Sequence, residues 1–396
     1  MPVHHRGGAP MGVPLLAVLL ILLCLSIHAE DAYPLWKCGP FPLKADIPAL
    51  DGVEFSVIKP WEFETDGYRF LHGVALAWHN GRLYASFGHN RVGENTATEE
   101  ARGRVSDDGG KTWGEVFTID PGEGDLAVSH GVFLSIGGAL WAFHGAYHNT
   151  MERVHTRAYL LDEASGTWQK RGTVTQGGFW PMQEPQKMPD GNWIMSGISV
   201  GGTNPAAVAI SRGDDLTRWD LVIIQAAPGT GNMWGESSVI VDGSRVVNIA
   251  RYGAQALPLV AVSGDCGRTW TQSRPANMPM TTSKPYAGTL TTGQHYLVCT
   301  MAADTGGRRA PLTVAVSRPG EQPFARVFTI RDAVHPSGLG ESHPGAALAY
   351  PYAVEHEGKL YVGYSNSGGR GGKDRANWNN NSAELAVIPL SALRVP

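Results

Sequence analysis

The sequence predicts an all-β chain folded as a six-bladed β-propeller, and three observations carry that prediction. First, six apolar stretches each meet a tight turn ending in glycine, at Gly81, Gly138, Gly191, Gly243, Gly293 and Gly358. By subtraction the steps between them are 57, 53, 52, 50 and 65 residues, and about 50 residues hold the four short strands of one blade. Second, a Ser–Asp–Gly–Thr–Trp pattern recurs between these turns. Third, the composition is rich in turn formers: 50 of the 396 residues are Gly, only 17% are charged, and no useful helical periodicity follows residue 29.

In chain order, residues 1–29 read as a secretory signal peptide. His4, His5 and Arg6 precede the apolar run Met11 to Ile27, and Ala29 offers a small residue for cleavage. The run is short for a membrane span. The expectation is a secreted or periplasmic protein with no membrane contact after cleavage. Residues 30–59 are Pro-rich and are expected to wrap the outside. Residues 60–396 form the propeller, and the run Ala383 to Ile388 is expected to complete a blade near the N-terminal strand and close the ring. Cys38, Cys266 and Cys299 remain after cleavage. Three allow at most one intramolecular disulfide, their spacing suggests no zinc site, and free buried thiols are expected.

The turns are His79-Asn80-Gly81, Ile136-Gly137-Gly138, Pro189-Asp190-Gly191, Val241-Asp242-Gly243, Thr291-Thr292-Gly293 and His356-Glu357-Gly358. Asn-Gly and Asp-Gly suit hairpins because the turn positions need positive φ. The second landmark is Ser106-Asp107-Asp108-Gly109-Gly110-Lys111-Thr112-Trp113, repeated as Ser263-Gly264-Asp265-Cys266-Gly267-Arg268-Thr269-Trp270 and, more loosely, from Ser211 to Trp219. Its Ser and Asp side chains can bond local backbone N–H groups, its Gly takes the strained φ, and its Trp plugs the space between sheets. The motif is therefore a structural one.

Chemistry is expected at the mouth of the central channel. Counting back seven to nine residues from each turn glycine reaches His72, His130, Glu184, Glu236, Tyr286 and Tyr350. Six polar or ionisable residues stand where a packed core would carry Val or Leu, so the channel mouth is the default site. The formal charge of −4 and pI near 6.4, with no basic stripe, exclude nucleic acid as an expected partner.

The Ser-x-Asp-x-Gly-x-Thr-Trp copies at Ser106 and Ser263 resemble the Asp box of sialidases, whose fold is a six-bladed propeller. The fourth unit also resembles that family: Glu236 opens a strand, Asp242-Gly243 turn it, Arg251 ends the next strand, and the Ser263 box follows. The resemblance implies that Tyr350 is the nucleophile, that Glu236 activates it, and that Arg69, Arg251 and Arg309 grip the substrate carboxylate. The chemistry suits an acidic sugar. A carboxylate nucleophile would be repelled by the carboxylate beside the anomeric carbon, whereas a tyrosine is neutral at rest and needs a base. Paired guanidinium bonds suit the carboxylate itself.

The first unit departs from the family. Tyr68-Arg69-Phe70-Leu71-His72-Gly73 lacks the expected Pro, and His72 stands at the key position. No Asp lies between Gly81 and Ser106, so the acid/base falls to Glu94, Glu99 or Glu100, of which Glu99 is preferred. The expected function is an exo-acting retaining glycosidase that releases terminal sialic acid or a related acidic sugar. His72, His130, Glu184 and Tyr286 are expected to contact the glycan. No cofactor is expected, and no short histidine spacing demands a metal. Two alternatives stay open. The histidines His72, His89, His130, His144 and His148 also suit a polysaccharide lyase or a His-dependent glycosidase acting on uronate-containing glycans. A non-catalytic glycan-binding propeller is the other, because fold does not determine function.

Overall fold

In the computed structural model, which describes residues 32–368 and 381–395, six antiparallel sheets form a ring. The expected signal peptide lies outside the described residues. Blade 1 comprises Phe70–His79, Arg82–Asn90, Glu99–Ser106 and Phe117–Asp120, and blade 2 comprises Leu126–Ile136, Ala139–His148, Glu152–Asp162 and Thr167–Thr175. Blade 4 runs from Ser237–Asp242 to Arg274–Pro275, and blade 5 from Tyr286–Thr289 to Phe324–Arg331. Within each of these sheets the strands lie in chain order. First strands of adjacent blades contact one another around the axis. Among the described residues no helix is long and apolar enough to cross a membrane.

All six glycine turns join the two innermost strands of a blade. At Asn80-Gly81, Gly137-Gly138 and Glu357-Gly358 both turn residues have positive φ, and the flanking pairs His79↔Arg82, Ile136↔Ala139 and His356↔Lys359 close two-residue hairpins. The other three turns use positive φ at the glycine alone, in other geometries.

Blade 6 closes the ring. Ala347–His356, Lys359–Ser367 and Asn381–Pro389 come from the C-terminal end, and Glu54–Lys59 adds the fourth, outermost strand by antiparallel pairing with Asn381–Pro389. The last residues of the segment expected to wrap the outside are thus part of a blade. Its earlier part does run along the outer edges of blades 4 and 5, through parallel bridges Tyr33↔Ala276, Trp36↔Phe324 and Ala49↔Thr329.

Blade 3 is irregular where the sequence suggested a simple inner strand. Phe179–Pro181 and Gln186–Lys187 pair with opposite ends of Trp193–Ser199, and residues 182–185 interrupt the ladder. Gln183 fills the break. Its side chain accepts from Val239 N at 2.6 Å and donates to Ala287 O at 2.6 Å, tying blade 3 to blades 4 and 5. Buried polar groups need such partners, since an unmet one costs about 1–3 kcal/mol.

Both motif copies close as their chemistry predicts. Asp108 accepts from the backbone N–H of Thr112 at 2.9 Å and from its hydroxyl at 2.6 Å, while Ser106 accepts from Gly110 N at 2.8 Å. Asp265, Thr269, Ser263 and Gly267 repeat the pattern. Trp113 and Trp270 pack against apolar clusters between the sheets. Side chains such as Phe87, Phe133 and Phe143 are wholly buried there, each worth about 1.5–3 kcal/mol. Cys266 and Cys299 are free and buried, as the spacing suggested, but Cys38 is free and exposed.

One buried ion pair ties blade 5 to blade 6. Arg331 Nη1 contacts Glu384 Oε2, with both side chains about 1% exposed. Glu384 Oε1 also accepts from Glu341 N at 2.9 Å and Asn366 Nδ2 at 2.9 Å. Arg331→Met would strand the carboxylate. It should cost about 3–5 kcal/mol, read as a lowered urea midpoint with an unchanged slope.

Candidate active site

Three inner strands carry a bulge at the same height. Pairing registers shift between His72 and Ala75 in blade 1, Val128 and Gly131 in blade 2, and Ala349 and Tyr352 in blade 6. A bulge inserts an unpaired residue and re-aims its side chain. Here it brings His72, His130 and Tyr350 together, with ring centroids 3.9 Å apart for His72–Tyr350 and 5.7 Å for His130–Tyr350. Tyr350 itself has φ +53°, a conformation a bulky side chain adopts only under constraint. Gly73 has φ +68°, and a Cβ there would lie 2.1 Å from the His130 ring.

Blade 4 supplies the acidic and basic partners through its register. Ser237 pairs with Ala250, so the flanking residues Glu236 and Arg251 face each other, and Arg251 N donates to Glu236 O at 2.9 Å. Arg251 Nη1 lies 2.9 and 3.1 Å from the two carboxylate oxygens of Glu236. The Tyr350 hydroxyl donates to Glu236 Oε1, and Arg251 Nη1 stands 3.5 Å from that phenol oxygen. From blade 5, Arg309 Nη2 donates to Thr282 O at 2.9 Å, and its guanidinium sits 5.9 Å from the Tyr350 ring centre.

His130, Tyr350, Glu236, Arg251 and Arg309 line a cavity of about 240 Å³. Its opposite wall is apolar, built from Met151, Trp180, Met182, Ile198 and Val200. A second cavity of about 460 Å³ adjoins it, shares Glu94 and Arg309, and includes His72. Burial, then the neighbouring Glu236 charge, pushes the Tyr350 phenol well above its usual pKa of 10.0, so Tyr350 rests protonated. Burial opposes the Arg251 charge, but Glu236 and Tyr350 outweigh it and raise its pKa. Burial, then His130, holds His72 well below 6.5; burial, then Lys284, holds His130 at about 3. Both imidazoles are neutral.

Of the three candidate acids, Glu94 faces the cavity. Its loop folds around Asn90, which accepts from Val92 N at 2.9 Å and from the Thr98 hydroxyl at 2.7 Å. Glu94 is open to water through the cavity, yet the surrounding walls raise its carboxyl above 4.5, with Arg309 pulling the other way. Glu99 does not line the cavity. It is buried behind it, accepting from Ser129 Oγ and from the Tyr147 hydroxyl at 2.6 Å. Glu100 pairs with Arg91 at 2.9 Å and accepts from Tyr68 at 2.8 Å.

Three further expectations need correcting. Arg69 is exposed and stacks on Phe63, its guanidinium 4.0 Å from that ring, so it does not join Arg251 and Arg309. His72, paired with Gly88 within the strand, takes the inward place instead. Glu184 and Tyr286 do not line either cavity; the Tyr286 hydroxyl donates to Glu184 because the inner strand of blade 3 is broken at residues 182–185. Between them and Tyr350 stands Lys284, which the sequence reading passed over. Its Nζ donates to Pro351 O at 2.6 Å, and burial lowers its pKa to about 7. Lys284 stands nine residues before Gly293, inside the count-back window that selected Tyr286. Among the described residues no group of three or more His, Cys, Asp or Glu is placed to hold a metal ion.

The repeat architecture and the motif copies agree with a known family, the BNR repeat-like domain, whose description matches residues 81–362. The chain belongs to this family. Several solved structures share the fold of this BNR repeat-like protein. A Dyadobacter fermentans protein of unknown function aligns with TM-score 0.63 and 14% identity over 85% of this chain and 99% of its own. The NanB sialidase K499G mutant of Streptococcus pneumoniae aligns with TM-score 0.61 and 11% identity over 82% and 69%. Trypanosoma rangeli sialidase, solved as a covalent intermediate with 2,3-difluorosialic acid, aligns with TM-score 0.61 and 12% identity over 88% and 60%. Among curated proteins, none matches. The BNR repeat-like chain is thus a sialidase-like propeller in fold.

The bulge geometry yields a direct test. Gly73→Ala places a Cβ into the His130 ring and should destabilise the protein by about 1–3 kcal/mol. Chemical denaturation reads the loss.

Proposed function

We propose that this protein is a retaining exo-glycosidase that removes a terminal acidic sugar, sialic acid or a related 2-keto acid, from glycans. The observation that carries this reading is the contact of Tyr350, Glu236 and Arg251 within one cavity beside Arg309. The proton of Tyr350 passes to Glu236 as the phenol oxygen attacks the anomeric carbon. Arg251, in reach of both oxygens, stabilises the charge that moves between them. Arg251 and Arg309 hold the sugar carboxylate. A clamp of two arginines, without Arg69, is the proposed arrangement.

Glu94 replaces Glu99 as the proposed acid/base. Its raised pKa keeps a proton available for the leaving oxygen. The leaving alcohol departs with that proton, and a glycosyl–Tyr350 bond forms. Water then attacks the anomeric carbon, gives its proton to the Glu94 carboxylate, and releases Tyr350, which recovers its proton from Glu236. Two displacements retain the anomeric configuration.

A second reading has one observation in its favour. His72 and His130 flank Tyr350, and neutral imidazoles can remove the proton next to a uronate carboxylate. A lyase of this kind would generate an unsaturated uronate with new ultraviolet absorbance. A side-by-side screen of fluorogenic sialosides and uronate glycans separates the two.

Tyr350→Phe should abolish release of free sugar from a fluorogenic sialoside while the protein remains folded; retained turnover would remove Tyr350 from the mechanism. Glu94→Gln should slow substrates with a poor alcohol leaving group by about 10²- to 10⁴-fold, the usual range for general acid catalysis. It should slow glycosylation of an activated aryl leaving group much less. In the wild type, glycosylation with poor leaving groups should decline as pH rises through the elevated Glu94 pKa. Equal losses for both leaving groups would assign the acid elsewhere.

A further inference from the structure

Behind the cavity, Glu99, Ser129 and His130 form a chain of hydrogen bonds. Ser129 Oγ contacts Glu99 Oε1, and His130 Nδ1 lies 3.2 Å from Ser129 Oγ. His130 lines the cavity and is 6% exposed, and its Nε2 is buried without a partner. The assembly is built in. The His144 ring bonds to Ser129 O at 2.7 Å, Trp180 Nε1 donates to His130 O at 2.9 Å, and a Cβ on Gly88 would lie 2.3 Å from Glu99 Oε1 and 2.9 Å from Ser129 Oγ.

The direction of these bonds follows from elementary proton counting. An ionised carboxylate only accepts. With Glu99 ionised, Ser129 must donate to it, and Ser129 Oγ then accepts from His130 Nδ1–H. The tautomer of a neutral imidazole follows the bond its other nitrogen makes, so Nε2 presents a lone pair to the cavity. With Glu99 protonated the chain reverses. The carboxyl donates to Ser129, Ser129 donates to His130 Nδ1, and His130 turns an Nε2–H into the cavity.

We propose that Glu99 and Ser129 are positioning residues that set His130 as a neutral acceptor for a hydroxyl or amide N–H of the bound sugar, and turn it into a donor when Glu99 gains a proton. The contact with a sugar rests on the reading that the cavity holds one; the relay does not. Reversal takes up one proton and moves one along each link. A proton from solvent or a ligand atom arrives at Nε2, Nδ1–H passes to Ser129, and the Ser129 proton passes to Glu99, so the imidazole is neutral before and after. That agrees with the burial that holds His130 near 3.

The switch falls at useful pH. Burial raises Glu99 to about 7 against the bonds from Ser129 and Tyr147. The groups facing Glu99 are Asn90, Glu94, Ser129 and Tyr147; those facing His130 are His72, Tyr350, Trp180, His144 and Lys284. Lys284 also titrates near 7 but bonds to Pro351 O, outside the chain.

Nitrogen NMR on the full protein labelled in histidine tests the relay without substrate. At pH 8.5 His130 should carry its proton on Nδ1, and as pH falls toward 6 the proton should appear on Nε2 with no imidazolium. Tyr147→Phe removes a bond to ionised Glu99 and should move that midpoint upward, which it would not do if Lys284 were the cause. Ser129→Ala should abolish the switch. An Nε2–H form at all pH values, or a switch that persists in Ser129→Ala, overturns the relay. N-acetylneuraminic acid or glucuronic acid, added at pH 8.5, should shift the His130 Nε2 resonance. No shift with either sugar overturns the contact. A working relay in a protein that turns over no sialoside counts against the glycosidase reading alone.

Discussion

Pairing of Glu54–Lys59 with Asn381–Pro389 is the contact on which the ring depends. A radial set of sheets has a first and a last member, and nothing within either sheet holds them side by side. Here the chain ends solve the problem jointly. The last strand of the C-terminal blade receives a partner from the N-terminal side, so blade 6 cannot form without both ends of the described chain. The closure is also what keeps Tyr350 in blade 6 next to His72 in blade 1. It spans more than 300 residues of sequence, and such non-local pairing costs loop entropy before it yields contacts.

Once the ring is closed, polar groups on the axis lose water, and those without a countercharge take the protonation form that burial favours. Tyr350 keeps its proton and His72 and His130 lose theirs. Glu236 is tied to Arg251 and Tyr350, the kind of pairing a carboxylate needs once it leaves solvent. Arg309 adds a second guanidinium beside the first, while burial favours the neutral form of Glu94. The cavity thus sets two guanidinium groups beside an apolar wall.

Much of this was legible because it repeats or is local. Asn80-Gly81 and Glu357-Gly358 announce hairpins by φ alone, and Ser106 with Asp108 announce a loop by the donors within reach. Glu236 and Arg251 could be paired from sequence because one hairpin register sets them opposite each other. Three misreadings share a different cause. Arg69 and His72 are three residues apart, but Arg69 precedes the inner strand and lies on Phe63, while His72 is paired within it just before the bulge. Glu94 and Glu99 are five apart, and strand alternation buries Glu99 while the Asn90-centred loop carries Glu94 to the cavity. Glu184 was chosen by counting along a strand, and blade 3 breaks the count at residues 182–185, leaving Glu184 to pair with Tyr286 away from the cavity.

Period, turn chemistry and motif spacing by themselves determined the class of fold, the number of blades and the channel mouth as the place for chemistry, since all three depend on residues near one another in the chain. Which polar residues meet, which stay behind the wall and which protonation state each holds were decided only by tertiary structure. Those outcomes depend on bulges, on broken ladders and on how many neighbouring blades remove water from a side chain. Distances between separate sheets set them, and no local pattern encodes such distances.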